Sequence, residues 1–157
     1  MSTPDFYLIP DAPTVPYPVD RARVAAAASQ FGVIEESGRS SPSLRFSVDD
    51  ELFVSSLDSR RRYLSVRKVL DTDLDYEQSR PAILIAADNW NRDHYFPTVY
   101  VIKTPMNRSR VVGDSTIEIR HGLSDAQLNE FLLIAISSCA EAIDYVSWST
   151  GKLLELK

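Results

Sequence analysis

The sequence predicts an α+β domain, an antiparallel sheet with three helices packed on one side, in the order α-β-β-β-β-α-β-β-α. Three observations predict it. From residue 44 to residue 70, short runs alternate apolar and polar side chains and are joined by tight turns, so neighbouring strands pair antiparallel. Two more such runs follow residue 97. Three helical segments, each with a recognisable start, divide these strands.

The chain of 157 residues suits one domain with an appended arm. Residues 1–19 form that arm. Five of the nine prolines sit there (Pro4, Pro10, Pro13, Pro16 and Pro18), and that density prevents a helix. Phe6, Tyr7, Leu8, Ile9 and Tyr17 make the arm too apolar for a solvated linker, so it is expected to dock on a folded body. The domain proper is residues 20–148, and residues 149–157 read as a tail.

The first helix is predicted over Arg21–Phe31. Asp20 caps it, Val19 and Val24 staple it, and Gly32 stops it at C′. Val33–Glu36 begins the sheet, and Gly38–Pro42 is a turn. Leu44–Val48 is a half-buried strand. Asp49-Asp50 turns it into Glu51–Ser56, and Asp58–Arg61 leads on to Tyr63–Leu70. Asp71–Asp75 reads as an acidic, solvated loop. An EF-hand is rejected there, because its sixth position would be Tyr76 and its twelfth Ala82.

The second helix is predicted over Arg80–Arg92, capped by Ser79, with Pro81 in its first turn. Its interior, Ala82 to Ala87, is apolar on most sides, which marks a central helix. Thr98–Lys103 and Arg110–Arg120 are the last strands, with Pro105–Ser109 between them and a bulge or bend expected at Gly113. The third helix has the clearest start. Ser124 and Gln127 make a capping box, with Leu123 and Leu128 as staple. Apolar residues from Leu128 to Val146 recur at three- and four-residue steps. It is expected to run to Trp148 and end at Gly151.

Composition narrows function. The net charge of -5 disfavours a nucleic-acid footprint, which needs a basic face. The one local hint, Arg60-Arg61-Arg62 beside Tyr63 with Arg67 and Lys68, is split by strand alternation. Cys139 is the single cysteine, so no internal disulfide forms, and its place in the last helix makes it a buried small hydrophobe. The N-terminus lacks the pattern of a secretory leader, and no run approaches about 18 apolar residues. The expected compartment is the cytoplasm, without membrane attachment.

Reactive constellations are sparse. The five glycines are scattered, so no phosphate-cradling loop exists, and there is no Gly-x-Ser-x-Gly elbow. Asp49, Asp50 and Glu51 are neighbouring carboxylates in a hairpin turn, where aspartate is favoured for local hydrogen bonding. His121 stands in a turn without an identifiable partner. His94 lies near Asp88 and Asp93, which permits a small metal-dependent or hydrolytic centre. Its plainer reading is a histidine favoured by the helix-end dipole. Asn89, Trp90 and Asn91 point about 100° apart and cannot all face one ligand. Trp90 is expected to pack on the sheet, with its N–H finding an acceptor, while Asn89 or Asn91 caps the helix or bonds to the loop before Phe96. Phe46, Phe53, Tyr63, Tyr100 and Ile102 are candidates for core or for a binding groove.

Four stretches together resemble one family: Asn89-Trp90-Asn91-Arg92, the strand Val99–Ile102, the strand Arg110-Val111-Val112-Gly113-Asp114-Ser115, and the helix start Gly122–Leu128. In their order and spacing the chain resembles the YbjN-like family of bacterial proteins over about residues 20–147, and most nearly its actinobacterial members. The resemblance implies the fold of type III secretion chaperones, with helices on a strongly curved antiparallel sheet, often paired as homodimers. Members are described as sensory-transduction regulators, and no catalytic residues transfer. The implied role is a non-enzymatic, chaperone-like or regulatory module that needs no cofactor and binds a protein or peptide segment. Asn89, Trp90, Asn91, Arg92 and Tyr100 are its candidate signature or partner-binding residues.

Overall fold

The computed structural model describes residues 14–35 and 43–155. The elements are α1 (Arg21–Ala28), β1 (Val33–Ile34), β2 (Ser43–Val48), β3 (Glu51–Leu57), β4 (Tyr63–Asp75), α2 (Tyr76–Asp93), β5 (Thr98–Lys103), β6 (Arg108–Glu118) and α3 (Asp125–Glu155), in the expected order. The strands form one open, curved sheet in the order β1-β2-β3-β4-β6-β5, with every neighbouring pair antiparallel. β5 therefore sits at an edge beyond β6, and α2 spans the crossover from β4.

Pairing sorts the strand residues into two faces. Leu44, Phe46, Phe53, Leu64 and Val66 meet α1 and the first half of α3, while Val99 and Val111 meet α2 and the second half of α3. The Phe46 and Phe53 rings stack with centroids 5.7 Å apart, so both belong to the core. Tyr63, Tyr100 and Ile102 lie on the opposite face, Tyr63 and Ile102 exposed and Tyr100 half-buried. Arg67 and Lys68 likewise part company: Arg67 pairs with Asp114 at 2.7 Å on the uncovered face, and Lys68 pairs with Glu51 on the helix face.

Local signals acted largely as expected. Asp20 accepts a hydrogen bond from the Arg23 amide at 2.8 Å, and both staple residues are buried. Asp49 and Asp50 both have positive φ, which makes the β2–β3 connection a two-residue turn of type I′. The Ser124 amide donates to Gln127 Oε1 at 2.8 Å, and the Gln127 amide donates to Ser124 Oγ at 3.1 Å, closing the capping box.

Several expectations need correction. α1 ends at Ala28, three residues early, and Gly32 is no left-handed cap. A Cβ on Gly32 would stand 2.0 Å from the Ser47 carbonyl oxygen, so this glycine serves the close approach of α1's exit to β2. Asp71–Asp75 is the end of β4 rather than a loop, with a bulge between Asp71 and Asp75; Asp71 pairs with Arg110. Asp75, not Ser79, caps α2, accepting from the Gln78 amide at 3.0 Å. α2 thus starts at Tyr76, which places Pro81 past its first turn. The Ser79 hydroxyl is buried, donating to the Asp75 carbonyl at 2.6 Å and meeting Ser109 Oγ at 2.8 Å. α2 is also less enclosed than its apolar interior suggested, since Ile85 is half-exposed.

β6 keeps regular register through Gly113, where a Cβ would make ordinary contact with Pro97 and Ile143, so no bulge lies there. α3 continues through Gly151 to Glu155, so residues 149–155 are helix rather than a tail. This helix is long and apolar enough to cross a membrane by length and composition alone. Its row of buried residues from Leu128 to Val146 packs on the sheet as a core helix does. The turn expected at Gly38–Pro42, most of the arm, and residues 156–157 lie outside the described residues.

The described end of the arm docks. Tyr17 forms an isolated antiparallel bridge with Leu123, its amide 3.2 Å from the Leu123 carbonyl and its own carbonyl accepting at 3.1 Å. The Arg23 guanidinium lies 3.4 Å over the Tyr17 ring. It donates to the carbonyls of Tyr17, Pro18 and Leu123 and to Asp125, each within 2.9 Å.

Candidate protein-binding groove

Of the residues singled out at the end of α2, Trp90 and Asn91 are engaged in holding β5. Trp90 is buried, and its Nε1 donates to the Pro97 carbonyl at 3.1 Å. The His94 ring lies flat against the indole, centroids 3.6 Å apart, with Nδ1 at 3.1 Å from the Trp90 carbonyl. Tyr145 of α3 packs against the indole at a tilt, centroids 5.7 Å apart. Asn89 accepts from Arg92 at 2.9 Å on the surface. Asn91 is the surprise. Its Nδ2 donates to the Val99 carbonyl at 2.9 Å, and its Oδ1 accepts from the Val99 amide at 2.8 Å. One side-chain amide thus does what a neighbouring strand would do, and it occupies the outer edge of β5 at that point. It neither caps the helix nor bonds to the loop before Phe96.

His94, Asp88 and Asp93 do not converge. Asp93 faces Arg92 at 3.6 Å, and among the described residues no three His, Cys, Asp or Glu side chains form a metal-binding group. Cys139 is buried, and loss of solvation pushes its thiol up to about 11. Tyr100 lies half-buried on the uncovered face beside the Arg67–Asp114 pair, and burial holds its phenol above the usual range.

The open feature is one that sequence reasoning missed. β5 begins at Thr98, opposite Asp114, but β6 runs on to Glu118. The Ile119 amide donates to the Arg62 carbonyl at 2.8 Å, so odd-numbered residues of β6 turn their backbone groups toward β4. Thr116 and Glu118 therefore turn theirs toward the side where β5 has stopped. Both residues are exposed, and among the described residues no strand pairs with them there.

A hollow flanks this free edge on each face. On the helix side a groove of about 270 Å³ runs between β6 and the first three turns of α3, with Ile117, Leu123, Phe131 and Ile134 among its walls. On the uncovered side a second hollow of about 280 Å³ is lined by Tyr95, Thr98, Tyr100 and Asp114. Phe96 and Thr116 border both. Phe96 and Ile134 are about half-exposed and Tyr95 almost wholly so, an apolar rim around open backbone. Of the expected site residues only Tyr100 lies here; Trp90 and Asn91 hold β5 from behind, and Asn89 and Arg92 pair with each other on the surface. The one sequence signal was a mismatch in length, a six-residue strand followed by one of eleven.

Fold and site together define an α+β protein built as a single open antiparallel sheet with helices on one face. The family model described as "Putative bacterial sensory transduction regulator" matches residues 49–148, and the chain belongs to this YbjN family. Its fold is also that of a solved structure titled "Crystal structure of YbjN, a putative transcription regulator from E. coli". That likeness has a TM-score of 0.52 at 10% sequence identity and covers 78% of this chain and 82% of the other. No curated protein sequence matches the chain.

Proposed function

We propose that this member of a family of regulators acts by binding protein, holding an extended segment of a partner against the free edge of β6. The observation that carries the reading is the outward edge at Thr116–Glu118, which no other described strand covers beyond β4, lying between two hollows. A strand added to a sheet edge gains backbone hydrogen bonds, and its side chains point alternately to the two faces. Here each face offers a recess with aromatic walls, so the edge supplies affinity and the recesses supply selection. The role is non-enzymatic and needs no cofactor. Of the residues that permitted a metal or hydrolytic reading, His94 is stacked on Trp90 and Asp93 faces Arg92. A cytoplasmic location and a homodimeric state belong to the same reading, as does a partner that is neither nucleic acid nor membrane.

The test is Thr116→Pro. Proline removes one outward N–H, and an edge position tolerates that loss. The variant is expected to melt within a few degrees of wild type yet lose the partner that wild type retains from its host's lysate, identified by mass spectrometry of both eluates. Equal recovery by both proteins would overturn the edge as the binding site. Light scattering that returns the mass of a single chain would remove the dimer, and stoichiometric metal lost in His94→Ala would restore the enzymatic alternative.

A further inference from the structure

We infer that a hollow between the end of β4, α2 and the second half of α3 binds a small neutral amphiphile, a hydrocarbon of about six carbons bearing one hydroxyl or carbonyl oxygen. The inference stands apart from the groove at β6. The hollow has a volume of about 170 Å³, and Leu70, Leu74, Ile83, Val111, Val146 and Leu154 supply its apolar walls. An apolar cavity of about 150 Å³ holds benzene, so this space suits a ring or chain of that size and is too small for a peptide segment.

One wall residue carries the polar signal. Thr150 is 5% exposed, and its Oγ1 is buried with no hydrogen-bond partner among the described residues. A helical threonine can satisfy that hydroxyl on a carbonyl one turn back, and Thr150 does not. A buried hydroxyl without a partner is costly, which points to a ligand that supplies one. The other hydroxyls of the wall are provided for. Thr72 Oγ1 donates to the Ser109 carbonyl at 2.7 Å, and Ser147 is exposed to water. Thr150 is thus the anchor, donating to a ligand carbonyl or exchanging a hydrogen bond with a ligand hydroxyl. Charge is disfavoured. No acidic or basic side chain is among the described residues that line the hollow, so a carboxylate or ammonium entering it would lose water and gain no counter-ion. Gly151 completes the wall without a side chain, and a Cβ there would meet nothing within 4 Å, which leaves room beside the anchor.

The experiment is a methyl-resolved NMR titration of the full chain with hexanol, repeated with benzene and with hexanoate. In wild type the methyl signals of Ile83, Val146 and Leu154 are expected to shift saturably with hexanol and with benzene but not with hexanoate, while those of Val66, in the other core cluster, stay fixed. Thr150→Val keeps the shape and removes the hydroxyl. It should fold as wild type does, bind hexanol about fivefold more weakly and bind benzene unchanged, whereas Thr150→Ser should keep hexanol affinity within about twofold. Equal hexanol affinity in Thr150→Val and wild type would overturn the inference. So would the absence of saturable shifts at Ile83, Val146 and Leu154, or hexanol shifts confined to Ile117 and Ile134, which belong to the groove. Hexanoate binding as tightly as hexanol would overturn the neutral class. Shifts of the same methyls on dilution without any probe would count against a small ligand, since a second copy would then fill the hollow.

Discussion

Single side chains decide how β5 is held and which groups stay silent. Asn91 reads in sequence as one polar residue among several, yet its amide makes a reciprocal pair with Val99. Asn91→Ala removes two hydrogen bonds and leaves the Val99 amide and carbonyl with water alone. The expected cost is about 1–2 kcal/mol, read as a lower urea midpoint with unchanged slope. Asn89→Ala, which loses only a surface contact with Arg92, should change stability by less than about 0.5 kcal/mol. Cys139 makes the opposite kind of point. Its thiol is buried among Ser115 and the carbonyls of Val66 and Gly113, with a pKa pushed up to about 11. A thiol-reactive disulfide reagent at pH 8 should therefore leave the native protein unlabelled and react within seconds once urea unfolds it. Rapid labelling of the native protein would contradict the burial.

At the scale of elements, two glycines that look alike in sequence have opposite meanings. Both were expected to end helices. Gly32 instead lets α1's exit touch β2, where an added Cβ would collide with the backbone of Ser47. Gly151 lies inside α3, and a Cβ there would meet nothing within 4 Å. Gly32→Ala is expected to destabilise by about 1–3 kcal/mol. Gly151→Ala should stabilise by about 0.5–1 kcal/mol through helix propensity, and thermal melts of the two variants should move in opposite directions. Local start signals were far more legible than stop signals. The Asp20 cap and the Ser124–Gln127 box depend on three or four consecutive residues, so the sequence shows them whole. The end of β4 does not have that property: Asp71–Asp75 stays in the sheet because Arg110 and Arg108 of a strand far along the chain stand opposite it.

For the whole molecule, the link between arm and body should respond to acid. The Asp125 carboxylate accepts from Arg23 and from the Tyr17 hydroxyl, each at 2.9 Å, and these bonds hold it below the usual carboxylate range. A carboxyl lowered in the folded state adds stability above its unfolded value near pH 4, and that contribution is lost as pH falls through the folded value. Wild type should therefore exceed Asp125→Asn in denaturant midpoint at pH 6, and the gap should narrow by pH 3. A gap that stays constant with pH would show that the carboxylate is not what fastens the arm.

By itself the sequence determined the order of elements, the antiparallel character of the sheet, the capping of the first and last helices and the family. Each of these rests on residues within a few positions of one another or on a period repeated along one segment. Tertiary structure alone decided where the candidate groove lies. β6 outruns β5 at one end, two hollows flank the exposed stretch, and Asn91 and Trp90 work from behind. The reason is that an unpaired edge is a relation between strands set by pairing register, and no run of neighbouring residues encodes which end of a strand is left without a partner.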